Sequence, residues 1–453
     1  MTITAETTLY AASALLPQGW ASDVRLTITD GAISAVETGV SAGASDERHT
    51  ALVPAMGNLH SHAFQRAMAG LTELRGPASD SFWSWRSLMY RFALKMTPDD
   101  IEAVAAQLYV EMLEAGFARV GEFHYLHHDR NGAPYANIAE HSERIAAASA
   151  GTGIGLTLLP VFYAHSGFGG QPPIDGQRRF INSLDSFARL MEGAHRLKDT
   201  LPGMQLGIAP HSLRAVTGDE LTAILPLAEG GSIHIHVAEQ VKEVEDSIAF
   251  SGARPVEWLL ANAPVDNRWC LIHATHLTES EVAGMAGSGA IAGLCPITEA
   301  NLGDGTFAAA DFLDQGGRLG VGSDSNVLIS LSGELHQLEY SQRLFHRARN
   351  VIARPNGSTG RRLFDAAVDG AGTALATKTG LAAGSPADIV SLDVRRAPYF
   401  TGDDLLDNWI FGSDISVDTV WAAGRKKVTG GRHSERDAIR ARFIATMKGL
   451  LAD

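Results

Sequence analysis

The chain has 453 residues, 45% of them hydrophobic and 19% charged, enough to bury one large core and a smaller second one. A formal net charge of -14, with no clustered run of Lys and Arg, excludes a nucleic-acid surface. The same negative field repels anions in general, so an anionic ligand has to be drawn in by arginines placed inside its site.

In chain order, the first segment, MTITAETTLYAASALLPQGW, has no basic stretch ahead of its apolar residues and carries Glu6 early, which argues against a secretory leader. No apolar run approaches the roughly 20 residues that a membrane helix needs. Residues 1–50 hold glycine-punctuated β-type segments such as VRLTITDGAISAV. From residue 51 onward, short apolar runs alternate with longer stretches of helical pattern. The runs are ALVPAMG (51–57), ARVGEFHY (118–125), IGLTLLPVFY (154–163), QLGIAPH (205–211), SIHIHVA (232–238), WCLIHAT (269–275), GAIAGLC (289–295) and RLGVGSD (318–324). Between them, DDIEAVAAQLYVEMLEAG at 99–116 repeats apolar residues at helical spacings.

Eight such runs with intervening helices predict an α/β fold, a (β/α)8 TIM-type barrel over residues 51–379, with its chemistry at the C-terminal strand ends. β-type segments return in ADIVSLDV and VDTVWAAGRKKV within 380–453. Together with 1–50 they predict a small β-sandwich domain beside the barrel. Cys270 and Cys295 lie in the apolar runs WCLIHA and IAGLCPI; they read as core residues, exclude a disulfide framework, and point to a reducing, cytoplasmic setting.

Polar groups end most of the runs: His60 and His62 follow the first, then come Tyr125, His211, His236, His273 and Asp324. In His60-Ser61-His62, alternate residues of an extended segment point the same way, so both imidazoles can reach one ion at about 2.0–2.1 Å. His236 and Glu239 form a His-x-x-Glu pair that sets a carboxylate, suited to proton transfer, just beyond a ligand. His234 shares the face of His236 and reads as a core histidine. Asp324, in VGSDSN, can complete the shell with oxygen. Loop histidines held by hydrogen bonds and a helix-capping aspartate are the bland alternatives. Three imidazoles and one carboxylate leave room for water, as a catalytic zinc site requires, and hydrolysis is the natural reaction class. His273 is placed to polarise a substrate, and His276 to support a loop. His124, His127 and His128 have no partner at metal spacing and read as structural. No lysine occurs between Lys95 and Lys198, so the carbamylated mid-barrel lysine that bridges two ions in binuclear barrel hydrolases is missing and one metal is expected.

The motifs NLHSH, HIHVAE, LIHATH, CPITEANLGDG and GVGSDS resemble the amidohydrolase superfamily, in its cytosine-deaminase-like and chlorohydrolase-like branch. GLAAGSPADIVSLDV resembles that family's C-terminal signature. Within the branch, HAFQRAMAGLTE, SFWSWRSLMYR, GEFHYLHH and APHSLRAV are similar to the formimidoylglutamate deiminases of histidine degradation. The resemblance implies one zinc ion, or another divalent first-row metal, on His60, His62, His236 and Asp324. It gives Glu239 and His273 the proton-transfer and charge-stabilising roles, and Gln65, Arg86, Tyr125, His211 and Arg214 the contacts to substrate. The reaction implied is hydrolysis of N-formimidoyl-L-glutamate to N-formyl-L-glutamate and ammonia.

That substrate carries two carboxylates, and Arg86 and Arg214, expected on separate loops, can each bind one bidentately. Surface salt bridges are the competing use of both. One rival function is another deaminase or chlorohydrolase acting on a purine, pterin or triazine, which Trp83 and Trp85 could stack. The other is a metal-stabilised binding protein without chemistry. The expected partner is a small dicarboxylate, with no nucleic acid and no membrane; a homodimer is left open.

Overall fold

A computed structural model describes residues 6–75 and 81–452. Its larger unit is a closed parallel barrel. The strands are Met56–Ser61, Phe117–His124, Gly155–Phe162, a fourth in two pieces (Gln205–Leu206 and Ala209–Pro210), Ile233–Val237, Trp269–His273, Ile291–Leu294 and Arg318–Val321. The ladders between them are parallel. Nearly every residue is buried, as strands enclosed by helices outside and a filled barrel inside must be. Single bridges join the fourth and fifth strands at Ile208–Ile233 and Ser212–His236, and another closes the barrel between Ser61 and Asp324.

The connecting helices carry their own start and stop signals. In Pro98–Ala115 the Thr97 hydroxyl caps the Asp100 backbone N–H, while the Asp100 carboxylate accepts from the Thr97 N–H at 2.8 Å. Pro98 opens the helix and Gly116 ends it at a φ of 100°, a left-handed turn that suits glycine. The chain then enters the second barrel strand at Phe117.

One end of the barrel is plugged. Leu375 packs with Leu59, Ile272 and Ile291, and the Thr157 hydroxyl donates to its carbonyl at 2.9 Å. A Cβ on Gly57 would fall 2.5 Å from the Leu375 side chain, so the strand needs glycine there. With this end filled, the opposite rim is the open one.

The two chain ends build one eight-stranded sheet that includes Thr7–Leu16, Gly19–Thr29 and Ile389–Asp393. It curls over its own core, because Ile33 bonds the Ser385 carbonyl at 2.9 Å and Leu9, Leu26, Ile33, Ile389 and Trp421 meet inside. Strand Glu47–Pro54 belongs to this sheet, pairing with Thr7–Leu16 on one side and Ile389–Asp393 on the other. The expected boundary at residue 51 therefore falls inside a strand, and the chain changes unit at Ala55. The cause is that two strands follow each other across Ala55, so their apolar residues read as one run. The C-terminal segment also adds helices Asp403–Phe411 and Arg436–Leu450, which pack on barrel helices. Both cysteines are buried and unpaired. Among the described residues no helix is long and apolar enough to cross a membrane.

Candidate metal centre and active site

The bridge that closes the barrel also assembles the centre. The Asp324 N–H donates to the His60 carbonyl at 2.9 Å and the His62 N–H to the Asp324 carbonyl at 3.0 Å, so the first and eighth strand ends are locked in register. On the side chains, Asp324 Oδ1 lies 3.3 Å from His60 Nε2 and 3.2 Å from His62 Nε2. His236 Nε2 is 3.1 Å from His60 Nε2. One ligand atom from each of the four falls within 4.8 Å of all the others. His62 Nδ1 donates to the Phe123 carbonyl at 2.9 Å and His236 Nδ1 to the His211 carbonyl at 3.0 Å, which turns both Nε2 lone pairs toward the common point.

Protonation states agree with that geometry. Burial drives His60 down to about 3, so it is neutral. Burial acts to raise Asp324, but its close contacts with His60 and His62 outweigh it and hold the carboxyl well below its usual range. Neutral imidazoles and an ionised carboxylate are the forms that ligate, and the donor set of three nitrogens and one oxygen fits a divalent ion such as zinc.

A buried amide and hydroxyl network holds these ligands. Asn326 Nδ2 donates to the His62 carbonyl at 3.0 Å and to Ser61 Oγ at 3.2 Å. Its Oδ1 accepts from Ser323 Oγ at 2.6 Å, and Ser323 Oγ accepts from Asn58 Nδ2 at 2.6 Å. Asp324 and Asn326 have positive φ values of 46° and 58°, as do Ala238 at 52°, His273 at 67° and Ala274 at 46°. Left-handed backbone at non-glycine residues costs roughly 1–3 kcal/mol each and persists where the surroundings force it; here it gathers at the strand ends that carry the site.

Glu239 follows the fifth strand. Its N–H and that of Ala238 donate to the Glu243 carboxylate at 3.2 Å and 3.3 Å, which fixes the turn. Burial pushes Glu239 up to about 7, with His273 and Arg214 acting against the rise. His273 Nε2 stands 3.8 Å from Glu239 Oε1, and His273 Nδ1 3.2 Å from Glu299 Oε1. Burial opposes the charge on His273, yet Glu239, Glu299 and Asp324 outweigh it and push the imidazole up to about 10. A carboxylate that titrates near neutrality thus faces an imidazolium, an arrangement suited to moving a proton and holding a negative charge.

A cavity open to solvent lies over the centre, with about 530 Å³ of space out into that opening. It is lined by His62, His236, Glu239, His273 and Asp324, and also by Gln65, Arg86, Tyr125, His211 and Arg214, so every residue expected at the site reaches it except His60, which lies fully buried beneath. Gln65 Nε2 donates to Tyr125 Oη at 2.7 Å, while Gln65 Oε1 is buried without a partner, an acceptor left for a ligand. Arg86 does not lie on a loop; it belongs to helix Phe82–Lys95, whose pocket face repeats Phe82, Trp85, Arg86, Met89 and Tyr90. The capping signal in SDSFWS was obscured by its serine and aspartate, which read equally well as loop. Arg214 follows the fourth strand, 3.9 Å from Glu243, with its Nε unpartnered. The two guanidiniums sit 5.3 Å and 5.9 Å from the Trp83 ring centre, so that indole is engaged by cations.

Sequence reasoning missed Tyr90, Tyr163, Phe180, Glu299 and Asp304. Glu299 and Asp304 lie in CPITEANLGDG, a motif that the resemblance marked without assigning either. His234 donates to the Ala374 carbonyl at 2.8 Å, at the plugged end, and is a core histidine. His127 and His128 bond the Val161 and Ile181 carbonyls, and His124 is buried beside His127 and His141; none joins the four ligands. His276 Nε2 is unpartnered and the residue lies outside the cavity lining.

Residues 51–427 match the model of the amidohydrolase family, and residues 6–50 match that of the N-terminal domain of the formimidoylglutamate deiminase HutF. A formimidoylglutamate deiminase of Pseudomonas aeruginosa is 50% identical over 98% of this chain and 99% of its own. The crystal structure of an amidohydrolase from Brucella melitensis superposes with a TM-score of 0.97 at 60% identity, covering 98% of this chain and 100% of that one. An atrazine chlorohydrolase from Arthrobacter aurescens, crystallised with zinc, shares the fold at a TM-score of 0.82 and 20% identity over 97% and 100% of the two chains. With its candidate ligands, buried Glu239 and cavity placed at one barrel rim, the chain belongs to the amidohydrolase family, among the formimidoylglutamate deiminases.

Proposed function

We propose that the chain hydrolyses N-formimidoyl-L-glutamate to N-formyl-L-glutamate and ammonia, with one zinc ion on His60, His62, His236 and Asp324. The observation that carries the substrate is the pair Arg86 and Arg214. Both face the cavity above the ligands, and among the described residues the ion-pair partner of Arg214 is Glu243, at a long 3.9 Å, with Glu239 acting on it by charge. Arg86 forms no ion pair among the described residues. Guanidiniums without their own carboxylates are open to those of a ligand. A neutral nucleobase carries no charge to pair with two guanidiniums, and of the two tryptophans that could stack a ring, Trp83 is taken up by the two cations.

Bound there, a divalent ion would acidify a water molecule and polarise the formimino group. The chain's own residues do the rest. Arg86 and Arg214 fix the two carboxylates, and the free Oε1 of Gln65 accepts an N–H of the formimino end. Glu239 removes a proton from the attacking water and passes it to the nitrogen that will depart. The C–N bond then breaks as the new C=O forms, and the hydroxyl proton follows to the same nitrogen, so that ammonia leaves and the formyl group remains. His273, charged and 3.8 Å from Glu239, offsets the negative charge that develops in between.

The test is ammonia release from N-formimidoyl-L-glutamate, N-formimidoyl-L-aspartate, guanine and cytosine by the zinc-loaded protein. The glutamate derivative should be turned over fastest; faster release from guanine or cytosine would overturn the substrate assignment and leave the metal centre standing.

A further inference from the structure

Two side chains on the cavity wall, Tyr90 and Tyr163, and a third behind them, Gln177, take no part in the reaction as described. Gln177 is fully buried, and its Oε1 accepts from the Ile174 backbone N–H at 3.0 Å, which fixes the amide nitrogen on the other side. That nitrogen donates to Tyr163 Oη at 2.8 Å and to Tyr90 Oη at 3.3 Å, so both of its hydrogens are used. Each phenol oxygen is therefore an acceptor toward Gln177 and keeps its own proton for another partner. One of these protons can close a bond between the two rings; the other is left for the cavity that both rings line.

The surroundings say what such a donor meets. The charges of Arg86 and Arg214 both act on the Tyr163 hydroxyl, and the Arg86 guanidinium lies 5.4 Å from the Tyr90 ring centre. The phenols thus border the cationic pair, held in place by an amide that has no freedom to turn. A carboxylate seated on a guanidinium still has lone pairs to satisfy. We propose that Tyr90 and Tyr163, positioned by Gln177, donate a hydrogen bond to one of the two substrate carboxylates and so determine specificity for that group. A neutral buried donor discriminates more sharply than charge alone, because a ligand lacking the oxygen leaves the hydroxyl unpaired. The inference rests on the dicarboxylate reading given above.

The experiment uses the zinc-loaded full chain with Tyr163→Phe, Tyr90→Phe and Gln177→Met. Two substrates each lack one carboxylate: the formimidoyl derivatives of norvaline and of 4-aminobutyrate. Tyr163→Phe should raise KM for N-formimidoyl-L-glutamate by roughly tenfold, leave kcat within about twofold, and lower kcat/KM on one of the two analogues while sparing the other. Gln177→Met should reproduce that pattern with zinc content unchanged, as a positioning residue requires. Equal losses on both analogues would mark mere wall packing and overturn the proposal, as would an unchanged KM in both phenylalanine variants. Calorimetric binding of glutarate separates this inference from the substrate assignment. If the parent releases no ammonia from N-formimidoyl-L-glutamate, that assignment fails, and a glutarate affinity lowered by Tyr163→Phe still supports the phenols while an unchanged one overturns them.

Discussion

Asn326 offers the sharpest test of how the metal centre is held. Its side chain donates to the His62 carbonyl at 3.0 Å and Ser61 Oγ at 3.2 Å, and accepts from Ser323 Oγ at 2.6 Å. The residue is fully buried, so Asn326→Ala removes these bonds and leaves their partners without water. At about 1 kcal/mol net for each bond, with a further 1–2 kcal/mol for the stranded carbonyl and hydroxyls, the loss is about 4–5 kcal/mol. Alanine at a φ of 58° adds roughly 1 kcal/mol that glycine would not. Asn326→Gly should therefore be the milder variant in urea unfolding despite its smaller side chain. Because the network ends on the carbonyl of His62 and on Ser61, between the two histidines, zinc affinity should fall by about 10- to 100-fold, read by competition with a chromogenic chelator. Ser323→Ala cuts the same network at its middle and should weaken zinc in the same direction. If Asn326→Gly and Ser323→Ala keep the parent affinity, the network supports folding alone and the argument fails.

Glu239→Gln keeps the shape of the base and removes its proton chemistry, so kcat should fall by at least about 100-fold while zinc content, measured by atomic absorption, stays at parent level; retained turnover would remove Glu239 from its role. Arg86→Ala and Arg214→Ala each strip a charge from a carboxylate and should cost about 2–4 kcal/mol in kcat/KM, roughly 30- to 1000-fold, with ammonia release as the assay. His273 supplies a pH test. Its folded value of about 10 lies above the ordinary 6.5, so the stability it contributes is present in full below 6.5 and is lost as pH rises through about 10. In metal-free protein Glu299→Gln removes one of the charges that raise it, and urea unfolding should show a deficit at pH 7 that shrinks toward pH 10; a deficit independent of pH would refute the pairing.

The barrel and the meeting of the four candidate ligands were legible because they obey short-range rules. His60, His62, His236 and Asp324 lie at or just after strand ends, where alternation along a strand decides which side chains point to one ion. The errors lie where two elements abut without a break in pattern. ALVPAMG spans the end of one strand and the start of another; Pro54 stands just before the change at Ala55, but it is itself paired with Ile389 in the first strand's ladder, so the apolar run reads through it. The fourth strand is interrupted at Gly207, where a Cβ would stand 2.3 Å from the Ser232 carbonyl, a contact between segments that only the fold creates. Arg86 was read as a loop residue because helix Phe82–Lys95 carries its aromatic face toward a cavity rather than a core. Glu299, Asn326 and Gln177 act through partners remote in sequence or through the backbone, as with the 265 positions separating Asn326 from Ser61. Periodicity carries no information on such pairs.

The charge balance links these parts. An acidic molecule of net charge -14 gains nothing from its overall field in attracting a dicarboxylate. Attraction has to be local, and the cavity supplies it in layers: Arg86 and Arg214 on the wall, His273 beside the base, and the cation that the four ligands would hold. As the proposed base, Glu239 needs the opposite surroundings, since that role requires it to stay basic enough to take a proton. It meets that need by burial, which pushes it up to about 7 against the pull of His273 and Arg214. The acids behind the site serve this division of labour. Glu299 bonds His273, and Glu243 lies under Arg214 while accepting the Glu239 N–H. Arg214 and His273 are thus each held by a carboxylate behind the site while both line the cavity, and Arg86 faces it with no carboxylate of its own among the described residues.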